Sequence, residues 1–176
     1  MLMVALFSKR VSSSHYFYLS VDKKKYIHYQ IFKNIVPETT VFIHGNLSSN
    51  RWCYPLLDRV SQKSDSSLAG DIIMAEIRGC GHSSDVDEAE KISIVSLADE
   101  FAQFISSLNI KRLNIVGHST GGSIAFVVLA KVAEIVNRVV LVDAVGARGR
   151  KFDQSILTAF RHMKTDMGLL ADVMKI

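Results

Sequence analysis

Ser119 stands in the run Gly117-His118-Ser119-Thr120-Gly121-Gly122, a Gly-x-Ser-x-Gly pattern with a further glycine behind it. A hydroxyl can attack a carbonyl carbon when three conditions hold. It must stand clear of the backbone, a base must take its proton, and amide donors must meet the charge that develops on the carbonyl oxygen. The pattern answers the first condition. Leu113–Val116 before it is short and apolar, as a buried strand is, and Ser123–Glu134 after it is apolar on nearly all sides, as a helix packed deep against a sheet is. A sharp turn between the two strains the serine backbone and lifts its hydroxyl above the sheet edge. Glycines at 117 and 121 leave room where side chains would strike the neighbouring strand and helix.

The oxyanion condition points to two backbone amides. One is the N–H of Thr120, next after the serine; the other is the N–H of Asn46, in His44-Gly45-Asn46 at the end of an earlier apolar strand. His44 is expected to be structural, its ring packed beneath that loop. The chemistry these groups would perform is acyl transfer at an ester-like carbonyl.

Positioning these groups requires alternating strands and helices. Tyr16–Ser20 and Tyr26–Phe32 read as a hairpin around Lys23-Lys24-Lys25, and Thr39–Ile43 as a third strand. Asn50–Gln62 reads as a helix, Asp71–Ile77 as a strand, and a helix follows from about Val95 with Ser96 and Asp99 as a capping-box-like start. Val136–Val142 is a further buried strand ending at Asp143, and Phe152–Lys164 an amphipathic helix. The alternation predicts an α/β fold: a mostly parallel sheet with helices on both faces and an antiparallel edge from the early strands.

His44-Gly45-Asn46, Arg78-Gly79-Cys80-Gly81-His82-Ser83 and Gly117–Gly122, in this order and spacing, resemble the α/β-hydrolase superfamily, in the branch with an HG-x oxyanion loop. The resemblance covers about residues 16–146. In the family the middle motif usually begins with Asp two residues before the arginine; here that position is Glu76, and Arg78 and His82 read as structural. The resemblance implies a serine hydrolase with Ser119 as nucleophile. It also implies the order serine, acid, histidine, with the acid after a seventh strand and the histidine after an eighth. About six strands are counted here, so the chain resembles a C-terminally truncated member: residues 1–146 as the core and 147–176 as the start of a helical cap. His162, the sole histidine after Ser119, falls in the cap helix, where the family does not place its base. Asp143 has two readings. Some relatives use an acid at the end of the sixth strand, whereas the ordinary role of a carboxylate there is to cap the next turn.

Composition narrows the classes. The 176 residues are 48% hydrophobic and 22% charged, ordinary for one soluble domain. A net charge of +4, dispersed over short runs such as Lys23–Lys25 and Arg148, Arg150 and Lys151, reads as solvated loops rather than a nucleic-acid surface. No apolar run approaches the ~20 residues of a membrane span. The apolar start has its positive charges after it, unlike a secretory signal, and two cysteines make no disulfide framework, so a cytoplasmic setting is expected. No metal spacing and no dinucleotide fingerprint is present, so no cofactor is expected. A small-molecule substrate is the expected partner. Pairing through an uncovered sheet edge is a further expectation. The competing class is a non-catalytic remnant or binding module of the same fold.

Overall fold

The computed structural model describes residues 12–33, 36–62, 70–146, 151, 153–162, 166 and 168. Its strands are β1 (Ser12–Tyr18), β2 (Tyr26–Phe32), β3 (Val36–Ile43), β4 (Gly70–Ala75), β5 (Leu113–His118) and β6 (Val136–Val142). Its α-helices are α1 (Tyr54–Gln62), α2 (Ile94–Ser107), α3 (Thr120–Lys131) and α4 (Gln154–His162). The strands form one sheet in the order β1-β2-β4-β3-β5-β6. β1 and β2 pair antiparallel, as do β2 and β4, whereas β4, β3, β5 and β6 run parallel. The expected fold class is therefore the one observed.

Alternation along the central strands divides the core. Val41, Ile43, Ile73, Ala75 and Ile115 face α2 and α3, where Phe101, Phe104, Ile124 and Val128 are fully buried. Phe42, Ile72 and Met74 face the other way, against Cys53 and against Leu57 of α1. Each large side chain so removed from water contributes about 1.5–3 kcal/mol. α3 is apolar nearly all round because it lies between α2 and the sheet, with β3, β5 and β6 beneath it.

Several boundaries differ from the sequence expectation. The helix expected from Asn50 opens as a 3₁₀ turn, Asn50–Cys53, capped by Ser49, before α1 begins at Tyr54. The capping box of α2 is Ser93 with Ser96, three residues earlier than expected; Asp99 instead pairs with Lys131 of α3 at 2.7 Å. α3 starts at Thr120 rather than Ser123, so the helix begins immediately after the serine. Residues 147–150, at the expected core–cap boundary, lie outside the described residues. Among the described residues no helix is long and apolar enough to cross a membrane.

Candidate active site

Three neighbouring parallel strands end at one edge of the sheet. Gly117 of β5 is level with Ile43 of β3 on one side and Leu141 of β6 on the other. Beyond those levels come Asn46, Ser119 and Asp143, so the register gathers all the sequence-named positions, with Thr120, at one end.

Ser119 has φ +50° and ψ −117°, a conformation that L-residues avoid, and β5 stops there. Its N–H donates to Val142 O at 2.9 Å, fixing the turn against β6, and its carbonyl accepts from Gly122 N–H at 2.9 Å. The glycines around it are sterically required. A Cβ at Gly117 would stand 2.5 Å from Gly121 O, and one at Gly121 would stand 2.2 Å from Ile43 O and 2.3 Å from His44 O. Thr120 is in the first turn of α3, where amides lack intrahelical acceptors and the helix dipole is positive. No described side chain hydrogen-bonds the Ser119 hydroxyl.

The loop after β3 lies against the serine. A Cβ on Gly45 would be 3.1 Å from Ser119 Cβ and 2.8 Å from His118 Nδ1. Asn46 follows, exposed, and Leu47 has φ +55°. His44 is buried beneath the loop: Nδ1–H donates to Gly45 O at 2.7 Å and Nε2 accepts from Ile77 N–H at 3.1 Å. Burial holds its pKa below the ordinary value. A neutral ring with both nitrogens engaged matches the structural role expected of it.

Glu76 secures the same loop from below. Its carboxylate accepts from Asn50 N–H at 3.0 Å, His82 N–H at 2.7 Å and His28 Nδ1–H at 2.8 Å. Burial alone would raise its pKa, but the His82 and Asn50 amides and the His28 ring outweigh that and hold it below the usual carboxylate range. Gly81, at φ +57°, makes room for this longer acid: a Cβ there would fall 2.2 Å from the carboxyl carbon. Arg78, its side chain fully buried, is locked by Glu90 at 2.6 Å and Glu100 at 2.7 Å, so its part is structural.

Asp143 is exposed with φ +47°, a conformation that short polar residues tolerate. Among the described residues its carboxylate caps no turn. His118 turns aside from the reacting edge and stacks on Trp52, ring centroids 3.8 Å apart, leaving Nδ1 buried without a hydrogen bond among the described residues. His162 lies on α4. Sequence reasoning missed the Trp52 stack and the buried pairing of His28 with Glu76. Neither has a spacing signal, though Glu76 in place of Asp hinted at the second. A cleft of about 580 Å³ opens beside Thr120, lined by Ile94, Val95, Phe126, Leu141 and Val145.

Comparison with known proteins bears on this arrangement. Residues 40–169 match the family model described as alpha/beta hydrolase fold. A Haemophilus influenzae protein carrying the provisional name esterase/lipase is 25% identical over 132 residues, which is 75% of this chain and 43% of that protein. Among solved structures, an α/β hydrolase from Novosphingobium aromaticivorans is 20% identical with a TM-score of 0.66, over 86% of this chain and 49% of its own. Est816, an N-acyl homoserine lactone degrading enzyme, is 22% identical with a TM-score of 0.66, over 86% of this chain and 54% of its own. The epoxide hydrolase CorEH is 18% identical with a TM-score of 0.64, over 94% and 56%. The chain thus spans about half the length of the solved structures it matches.

Proposed function

Because this chain belongs to the α/β-hydrolase fold family, we propose that it is the nucleophile-bearing part of a serine hydrolase acting on an ester-like carbonyl substrate. The observation that carries this reading is the strained Ser119 backbone at the start of α3, with the Gly45-Asn46 loop packed against it. Ser119 Oγ attacks the carbonyl carbon, and the N–H groups of Asn46 and Thr120 receive the oxyanion. Relatives in this fold include lactone-degrading and epoxide-opening enzymes. A serine rather than a carboxylate at position 119 favours acyl transfer. The apolar cleft beside Thr120 suits the hydrocarbon part of a small substrate.

Asp143 is the candidate acid, at the end of the strand next to that of Ser119. Three of the six histidines are engaged elsewhere and do not supply the base. His44 has both nitrogens engaged, His28 is committed to Glu76, and His118 is stacked beneath Trp52. The base therefore belongs to sequence other than these residues, and this same observation favours the second reading, a non-catalytic module of the fold.

Fluorophosphonate labelling separates the two. A phosphonyl adduct on Ser119, within the tryptic peptide Leu113–Lys131, slowed in Asp143→Asn and absent in Ser119→Ala, supports the hydrolase. Folded protein that stays unlabelled at Ser119 supports the module.

A further inference from the structure

At the β1–β2 end of the sheet, a hydroxyl of the hairpin is joined to an imidazole and, through it, to a carboxylate that follows β4. We propose that Ser14 is a second nucleophilic serine, acylated by activated esters, with His28 as its base and Glu76 as the group that orients His28. Ser14 Oγ lies 2.5 Å from His28 Nε2, and His28 Nδ1 lies 2.8 Å from Glu76 Oε2. Glu76 is held ionised by two backbone amides besides the ring. The proton of a neutral His28 therefore sits on Nδ1, leaving Nε2 to accept from the Ser14 hydroxyl. A nucleophile bonded to a base, and that base bonded to an orienting acid, is the arrangement that activates a serine.

The surroundings favour reaction at this point. His28 is only 3% exposed; Tyr16 leans on its ring at 5.3 Å and His82 meets it edge-on at 5.1 Å, keeping water from the base. Ser14 itself is exposed on β1, the first strand of the sheet. The neighbouring pair offers an internal comparison. Ser13 Oγ lies 2.6 Å from His15 Nε2, but among the described residues no carboxylate orients His15.

With an aryl ester, Ser14 Oγ bonds to the carbonyl carbon and its proton passes to His28 Nε2. The bond from that carbon to the aryloxide breaks, and the aryloxide takes the proton from His28. The products are an O-acylated Ser14 and a phenol. These steps use none of Ser119, Asn46, Thr120 and Asp143; Glu76, which orients His28, also holds the loop after β3 through Asn50.

The test uses the full chain as Ser119→Ala, treated with 4-nitrophenyl acetate and mapped by fragmentation of the tryptic peptide Val11–Lys23, which holds Ser12, Ser13, Ser14 and Ser20. The expected result is acetyl on Ser14, exceeding Ser13 by about 100-fold, the usual size of general-base assistance, absent in Ser14→Ala and lowered to a similar degree in His28→Gln. Folded Ser119→Ala with no acetyl on Ser14, equal acetylation of Ser13 and Ser14, or undiminished Ser14 acetylation in folded His28→Gln overturns the assignment. Should His28→Gln fail to fold, the comparison of Ser13 with Ser14 within one folded protein decides. Because Ser119 is absent from the test protein, the outcome stands apart from that of the Ser119 reading.

Discussion

A backbone held at φ +50° by a non-glycine residue costs on the order of 1–3 kcal/mol, and Ser119 bears that cost at the edge where the named site residues meet. Glycine meets no such penalty, so Ser119→Gly should raise unfolding stability by about 1 kcal/mol in denaturant titration while abolishing labelling at 119. An unchanged or lowered stability would mean that the turn is unstrained. Glu76 behaves oppositely. Its three accepted hydrogen bonds favour the ionised acid, and Glu76→Gln would set an amide N–H against a buried N–H donor, at a cost of roughly 3 kcal/mol. Its folded pKa lies below the unfolded value. Its contribution is therefore complete above the unfolded pKa of about 4.3 and is lost as pH falls through the folded one. Between neutral pH and acid, the stability of Glu76→Gln should decline less steeply than that of the parent. Equal slopes would contradict the pairing. Part of this was legible in the sequence: the glycines, the serine and His44-Gly45 announce their positions through type and spacing. The Ser14–His28–Glu76 chain does not, because its partners stand 14 and 48 residues apart and meet only through β1–β2–β4 pairing.

Elements are more legible in the sequence than their ends. β2 and β6 have the bounds that the residue pattern gives them, but β6, expected to be buried, is mostly exposed because among the described residues no strand pairs with its outer side. α2 starts within a residue of its expected place, at Ile94, but its capping box lies three residues earlier than the pattern suggests, because Ser93 and Ser96 both suit a cap and only the backbone decides between them. The residue pattern starts α3 three residues late because Thr120, Gly121 and Gly122 are poor helix formers, here held helical by packing against β3 and the residues after β6. β6 is the last strand of the sheet among the described residues, with Val140 51% and Val142 42% exposed. Such an edge invites pairing with another strand. Light scattering should show mass rising with concentration for the parent and suppressed in Val140→Lys; a parent that stays monomeric throughout would remove the edge as a pairing site.

At the scale of the whole molecule, the chain belongs to the α/β-hydrolase fold family over residues 40–169 and spans about half the length of its solved relatives. The sheet order, the helices on both faces and the meeting of Asn46, Ser119, Thr120 and Asp143 at one edge all follow from parallel register. Local pattern could announce that register only as strand–helix alternation. The most direct test is a crystal structure of the chain phosphonylated at Ser119. The account predicts the phosphonyl oxygen about 2.7–3.1 Å from both the Asn46 and the Thr120 backbone nitrogens. A phosphonyl oxygen facing solvent, with either nitrogen beyond hydrogen-bonding distance, would contradict it.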